Sequence, residues 1–187
     1  MARRKVNKQE LLAAAEELLM ERGYDHFHFR MLAEKLEIGR STIYEYFSSK
    51  EELILVYMDQ LMKKVMNECK EWANEAPLKR LKGYLSIFMK YTQIHRMMQI
   101  LPLMVQTVSP ELETFIEKLF QDHQQIYDWI TEAVEEAKKK DEIRHDIPTQ
   151  LITAIILSTV QLPKWMDQEE VISGEMVFDL LHQGFRF

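Results

Sequence analysis

From Lys8 almost to the end of the chain, apolar residues recur three and four positions apart, and no alternating run bounded by turn signals interrupts them. A chain patterned this way is predicted to be all-α, because period 3.6 places its apolar side chains on helix faces while a strand needs period 2. The local punctuation agrees. Asn7 with Glu10 three places on forms a capping-box signature, Leu11, Leu12, Ala15, Leu18 and Leu19 share one face, and Gly23 marks a stop.

The segment Phe29–Lys50 carries the most specific pattern. Leu32, Ala33 and Leu36 repeat at helical spacing, the pattern breaks at Glu37–Gly39, and Ile43 and Phe47 lie one turn apart on the next stretch. Two short helices joined by a tight turn follow. With Ile43 and Phe47 inward, the spacing predicts that Arg40, Thr42, Tyr44 and Tyr46 face out. Hydroxyls and a cation on a short exposed helix are poor core material but good partners for phosphate oxygens and base edges.

This stretch resembles the tetracycline-repressor (TetR) family of bacterial regulators through Arg30, Leu32-Ala33-Glu34, Ile38, Ser41-Thr42-Ile43-Tyr44, Tyr46-Phe47 and the Ser49-Lys50-Glu51-Glu52-Leu53 run. The resemblance covers about residues 7 to 55. It implies an N-terminal three-helix helix-turn-helix DNA-binding domain and a C-terminal helical domain for ligand binding and dimerisation, divided here at 1–50 and 51–187. It nominates Arg30, Arg40, Ser41, Thr42, Tyr44, Tyr46 and Lys50 as DNA-binding residues. Three positions depart from the family pattern: His28 in place of threonine, Glu37 in place of glycine, and Gly39 in place of a serine-like cap. Glu37 must therefore accept a left-handed backbone, at a cost on the order of 1 kcal/mol, or the turn must differ.

A net charge of −6 runs against DNA binding until its distribution is counted. Residues 1–50 hold nine Lys/Arg against eight Asp/Glu, a balance of +1, and residues 51–187 hold fifteen against twenty-two, a balance of −7. Phosphates sense charges within a Debye length of about 8 Å, so Arg3, Arg4, Lys5, Lys8, Arg30, Arg40 and Lys50 can act locally. Ile147–Leu162 is the longest nearly uncharged run and falls short of the ~20 residues that span a bilayer. Arg3, Arg4 and Lys5 lead into an acidic amphipathic pattern rather than a secretory signal, and the single cysteine, Cys69, suits a reducing compartment. A cytoplasmic location without membrane contact is expected.

Beyond the reading unit, Ser49 and Glu52 predict a helix start, running to about Asn74 with Leu53, Val56, Tyr57, Met62, Val65, Cys69 and Trp72. After Ala76-Pro77, helices are expected near 78–93, 95–107 and 110–139, with Pro102 bending or splitting the second. The third carries a stripe of Leu112, Phe115, Ile116, Leu119, Phe120, Ile126, Tyr127, Ile130 and Val134 expected to face a core, and Lys138-Lys139-Lys140 suit the negative end of its dipole. Two last helices are expected near 148–163 and 168–184, on either side of Pro163. Leu151–Val160 is apolar nearly all round, so a second copy of the chain is its expected cover, partnered by the final helix with Val171, Ile172, Val177, Leu180 and Leu181. The resemblance implies the same homodimer, built from the last two helices. Two reading heads on a two-fold axis then read a palindromic operator of double-stranded DNA.

Methionines and aromatics concentrate around residues 88–127, and methionine adapts to varied apolar shapes. Phe88, Tyr91, His95, Met98, Leu101, Met104, Phe115, Leu119, Tyr127 and Trp165 are the expected lining of a pocket for a small apolar or aromatic effector. No histidine or cysteine pair has metal-site spacing, and five glycines supply no phosphate loop or nucleophile elbow, so no metal, cofactor or enzymatic activity is expected. The expected function is a ligand-responsive repressor. The rival is a helical protein–protein binding module without DNA or ligand function.

Overall fold

A computed structural model describes residues 5–91, 100–102, 104, 109–159 and 173–185. These are helical with no strand among the described residues. Helix α1 (Lys8–Arg22) starts at the expected capping box: the Glu10 N–H donates to Asn7 Oδ1 at 2.9 Å, and the Asn7 N–H donates to Glu10 Oε2 at 2.9 Å. Two donors left over by the first turn are thereby satisfied reciprocally. The helix buries all five predicted apolar residues and ends at Gly23, whose φ of 76° is open to a residue without Cβ.

Helices α2 (Phe29–Leu36) and α3 (Arg40–Tyr44) follow. The next, α4 (Lys50–Glu71), begins with the Glu52 N–H donating to Ser49 Oγ at 3.1 Å. The Glu52 carboxylate reaches back one residue further than a capping box requires, accepting from the Ser48 N–H and hydroxyl. Its regular turns stop at Glu71 rather than Asn74, because the N–H groups of Trp72 and Ala73 tighten onto the carbonyls of Cys69 and Lys70 three residues back.

Four further described helices are α5 (Pro77–Lys90), α6 (Pro110–Lys139), α7 (Thr149–Ser158) and α8 (Gly174–Phe185). Of the helix expected near 95–107, only Ile100–Pro102 and Met104 are described, and they are helical. Residues 160–172, with Pro163, Trp165, Val171 and Ile172, lie outside the described residues.

The chain divides into two compact units, the described residues of 1–60 and 97–117 forming one and those of 61–96 and 118–187 the other. In the first, Leu11, Phe27, Leu32, Ile43, Phe47, Leu53, Ile54 and Leu55 make a closed apolar centre. In the second, Leu81, Leu85, Ile130, Ala133, Val134 and Ile152 do the same. There α5 meets the ends of two other helices at close range. A Cβ on Gly83 would lie 2.3 Å from the Trp72 ring, and one on Gly174 would lie 2.4 Å from Ser86 Cα, so both glycines are contact surfaces. Lys82 pairs with Glu175 at 2.8 Å across the α5–α8 contact. At the far end of α4, Glu68 accepts from Lys90 Nζ at 2.7 Å and from the Tyr91 hydroxyl at 2.5 Å, and these two bonds hold its carboxyl below the usual range.

Two expectations for α6 are corrected. Phe120 lies on the flank of the apolar stripe and is half exposed, whereas Ile116, Leu119, Ile126, Ile130 and Val134 are buried. Lys138 is not a solvated dipole partner: it is buried, with Nζ donating to the Ile147 carbonyl at 2.6 Å and to Thr149 Oγ1 at 3.0 Å. The Thr149 hydroxyl in turn donates to Glu135. The loop after α6 folds back over the lysine, and the left-handed Asp141 at φ 57° makes that reversal.

The apolar faces of α7 and α8 are only half used within the chain. Ile152 and Ile156 are buried while Leu151 and Ile155 are exposed, and on α8 Val177 and Phe178 are buried while Met176 is 62% and Leu180 73% exposed. No helix among the described residues is long and apolar enough to cross a membrane.

Candidate nucleic-acid interface

The turn between α2 and α3 closes with two hydrogen bonds. The Ile38 N–H donates to the Ala33 carbonyl at 3.0 Å and the Glu37 N–H to that of Glu34 at 3.3 Å, with Glu37 at φ 56° and ψ 42°. This is the left-handed termination that usually takes glycine, and Glu37 adopts it with a Cβ in place. Gly39 caps α3 through its backbone only, and His28 caps α2 without a side-chain bond.

α3 is little more than one turn, held by Ile43 and Phe47, both essentially inaccessible to water. Around that anchor the predicted contact residues separate. Tyr44 is 57% exposed, with its ring steadied edge-on against Phe29 at 5.2 Å, and Arg40 and Ser41 are exposed. Thr42, expected to face out, is only 9% exposed. The reason is rotational: it sits 100° from Ile43, and a small three-helix core takes in a sector at least that wide.

Tyr46 is 38% exposed, but its hydroxyl donates to the Val6 carbonyl at 2.8 Å, a partner forty residues earlier in the chain. Lys50 Nζ lies 4.1 Å above the Tyr24 ring and 3.3 Å from the Tyr24 carbonyl, and the Tyr24 hydroxyl donates to Glu51 at 3.2 Å. Sequence reasoning missed Tyr24, whose only local signal is its place after the Gly23 stop. Arg30 is exposed and paired with Glu34 at 2.8 Å, which keeps its guanidinium protonated beyond the usual range. Arg30, Ala33, Glu34, Glu37, Ile38 and Arg40 line an open depression of about 460 Å³ beside the turn. Its two cations flank two carboxylates, so the exposed guanidinium of Arg40 and ring of Tyr44 are the features with most access to a polyanion.

The expected effector lining is only partly described. His95, Met98 and Trp165 lie outside the described residues. In the first unit Leu101 and Met104 are fully buried and Phe115 is partly exposed; in the second, Phe88 and Leu119 are buried while Tyr91 and Tyr127 are partly exposed. The Tyr91 hydroxyl is engaged by Glu68. No group of three or more His, Cys, Asp or Glu side chains among the described residues could hold a metal ion.

Residues 11–57 match the family of bacterial regulatory proteins described as the tetR family, a span that takes in most of α1, all of α2 and α3 and the start of α4. Over 98% of both chains, the protein is 23% identical to the fatty acid metabolism regulator protein of Bacillus subtilis (strain 168). Its fold superposes on the ketosteroid transcriptional regulator KstR2 of Mycobacterium tuberculosis with a TM-score of 0.81, at 17% identity and covering 100% of both chains. It superposes on AibR, solved with isovaleryl coenzyme A and operator DNA, with a TM-score of 0.74 at 15% identity, covering 95% of this chain and 96% of that one.

Proposed function

From a chain that belongs by its N-terminal domain to the tetR family of bacterial regulatory proteins, we propose a ligand-responsive transcriptional repressor that binds a palindromic operator as a homodimer. The observation that carries the reading is the division of labour on α3: Ile43 and Phe47 are buried while Arg40 and Tyr44 are exposed on the same short helix. A rigidly seated helix with an exposed cation and aromatic hydroxyl suits a groove, and Arg30, Ser41 and Lys50 supply further donors around it. Reading lies within residues 1–50, and effector binding and dimerisation within 51–187. Work on an operator sets the protein in the cytoplasm.

One short helix contacts too few bases for a specific site, so two copies share the task, with half-sites about 34 to 36 Å apart or slightly more. The exposed apolar residues of α7 and α8, Leu151, Ile155, Met176 and Leu180, support a second copy as their cover. The effector is a small apolar molecule. Fatty acyl thioesters of coenzyme A are the first class to test, because one relative is named for fatty acid metabolism and a structural neighbour was solved with an acyl-coenzyme A. Binding in the large domain would act through α4, which starts beside α3 in sequence and contributes residues to both units. A coupling of about 1 to 3 kcal/mol lowers operator affinity roughly five- to 150-fold.

Selection of bound fragments from random double-stranded DNA tests the first half: a palindrome is expected, bound more weakly as salt rises. Adding acyl-coenzyme A thioesters of graded chain length to that complex tests the second, with release expected at one range of lengths. Recovery of no preferred sequence sinks the operator, and unchanged affinity across the thioesters and a broad apolar library sinks the switch.

A further inference from the structure

We propose that Tyr24 acts as a positioning residue for DNA binding, its ring face and carbonyl holding the Lys50 ammonium where it can meet a phosphate beside the reading helix. This rests on the DNA-binding reading above and deepens it. Tyr24 lies in the loop between α1 and α2, and it meets two consecutive residues at the start of α4. Lys50 Nζ lies 4.1 Å from the centre of its ring and donates to its carbonyl at 3.3 Å, while the Tyr24 hydroxyl donates to Glu51 Oε1 at 3.2 Å. All three residues belong to the first unit, and each is half-buried.

What distinguishes Lys50 is the charge of its partners. Arg30 pairs with Glu34 at 2.8 Å and Lys35 with Glu17 at 2.7 Å, so an opposite charge offsets the field of each at close range. A ring face and a carbonyl attract the ammonium through a quadrupole and a dipole, and leave its full charge to act on an anion. Among the described residues no carboxylate pairs with Lys50, and its neighbour Glu51 is engaged by the hydroxyl of the same tyrosine. An ammonium carries three N–H groups. The carbonyl accepts from one and the ring face can take a second, which leaves a third for a phosphate oxygen. A lysine stem is otherwise free to adopt many rotamers, so holding it reduces what must be ordered when the phosphate arrives.

A packing role and a positioning role predict different responses. If Tyr24 only filled space, its replacement would weaken binding equally with and without Lys50, and the electron density of the ring would not matter. If it holds the ammonium, its effect passes through that charge. The experiment measures affinity against salt by fluorescence anisotropy, on a labelled random-sequence duplex and on the selected operator. The proteins are wild type, Tyr24→Leu, Tyr24→Phe, Lys50→Ala and Tyr24→Leu/Lys50→Ala, each checked by a thermal melt. A further set carries at position 24 a phenylalanine with one, two or three ring fluorines, which drain the negative face at nearly constant size, in the presence of Lys50 and with Lys50→Ala.

Lys50→Ala is expected to flatten the salt dependence by about 0.9 per protomer, and Tyr24→Leu to approach that change. Phenylalanine in the same place should restore the slope, and each added fluorine should lower affinity at fixed salt. With Lys50→Ala, none of the changes at position 24 should have a further effect. An unchanged slope in Lys50→Ala, or a loss from Tyr24→Leu that is equal with and without Lys50, overturns the positioning role while leaving DNA binding intact. So does a Tyr24→Phe slope as flat as that of Tyr24→Leu. Wild-type protein that binds neither duplex in a salt-dependent way overturns both readings. If Tyr24→Leu lowers the melt, the fluorinated series decides: affinity that does not fall with fluorination overturns the proposal.

Discussion

Glu37 is a residue whose chemistry and conformation disagree. Its φ of 56° places a Cβ where glycine has none to place, and the turn between α2 and α3 depends on it. Glu37→Gly is therefore expected to stabilise by about 1 kcal/mol, raising the thermal midpoint by about 2–4 °C in a melt followed by circular dichroism. An unchanged or lowered midpoint would show that the carboxylate has contacts outweighing the strain. Cys69 disagrees with its surroundings differently. Burial, and then the neighbouring Glu68 charge, push its thiol up to about 12, so little thiolate exists near neutrality. Native protein at pH 8 is expected to react with an aromatic disulfide reagent orders of magnitude more slowly than unfolded protein. A rate matching that of unfolded chain would require an open path to the sulfur.

At the scale of elements, one buried side chain ties the end of α6 both to the following loop and to the start of α7. Lys138 supplies both the Ile147 carbonyl and the Thr149 hydroxyl with their donor. Lys138→Met keeps the apolar stem but removes the donor to the Ile147 carbonyl and one of the two bonds at the Thr149 hydroxyl, and is expected to cost about 1–3 kcal/mol in a urea titration. Lys139→Met, exposed in the next position, should stay within about 0.5 kcal/mol. Equal effects from the two would return the lysine run to the simple dipole role its sequence suggested.

For the whole molecule, the decisive surface is the uncovered face of α7 and α8. Leu151, Ile155, Met176 and Leu180 are large apolar side chains left exposed on these two helices, and their burial against a copy is what the proposed pair of reading heads would require. Leu180→Glu sets a charge at the most exposed of them, and is expected to shift light-scattering mass from dimer to monomer and to weaken operator binding in step. Dimer mass retained by the variant would place the interface elsewhere.

What could be read along the chain and what could not divide by sequence separation. The Asn7–Glu10 box, the Gly23 stop, the inward Ile43 and Phe47 and the span of α6 all follow from interactions within one or two turns, where backbone geometry alone decides which residues meet, whereas at Glu37 the sequence left a left-handed backbone and a different turn both open. Thr42 turning inward, Phe120 turning outward, the Tyr46 hydroxyl on Val6, Lys50 over Tyr24 and Lys138 under the following loop were decided only when segments came together in space. Periodicity assigns a residue to a face, but the width of the buried sector and the partner of each polar tip depend on which neighbour packs there, and that is a property of the folded chain.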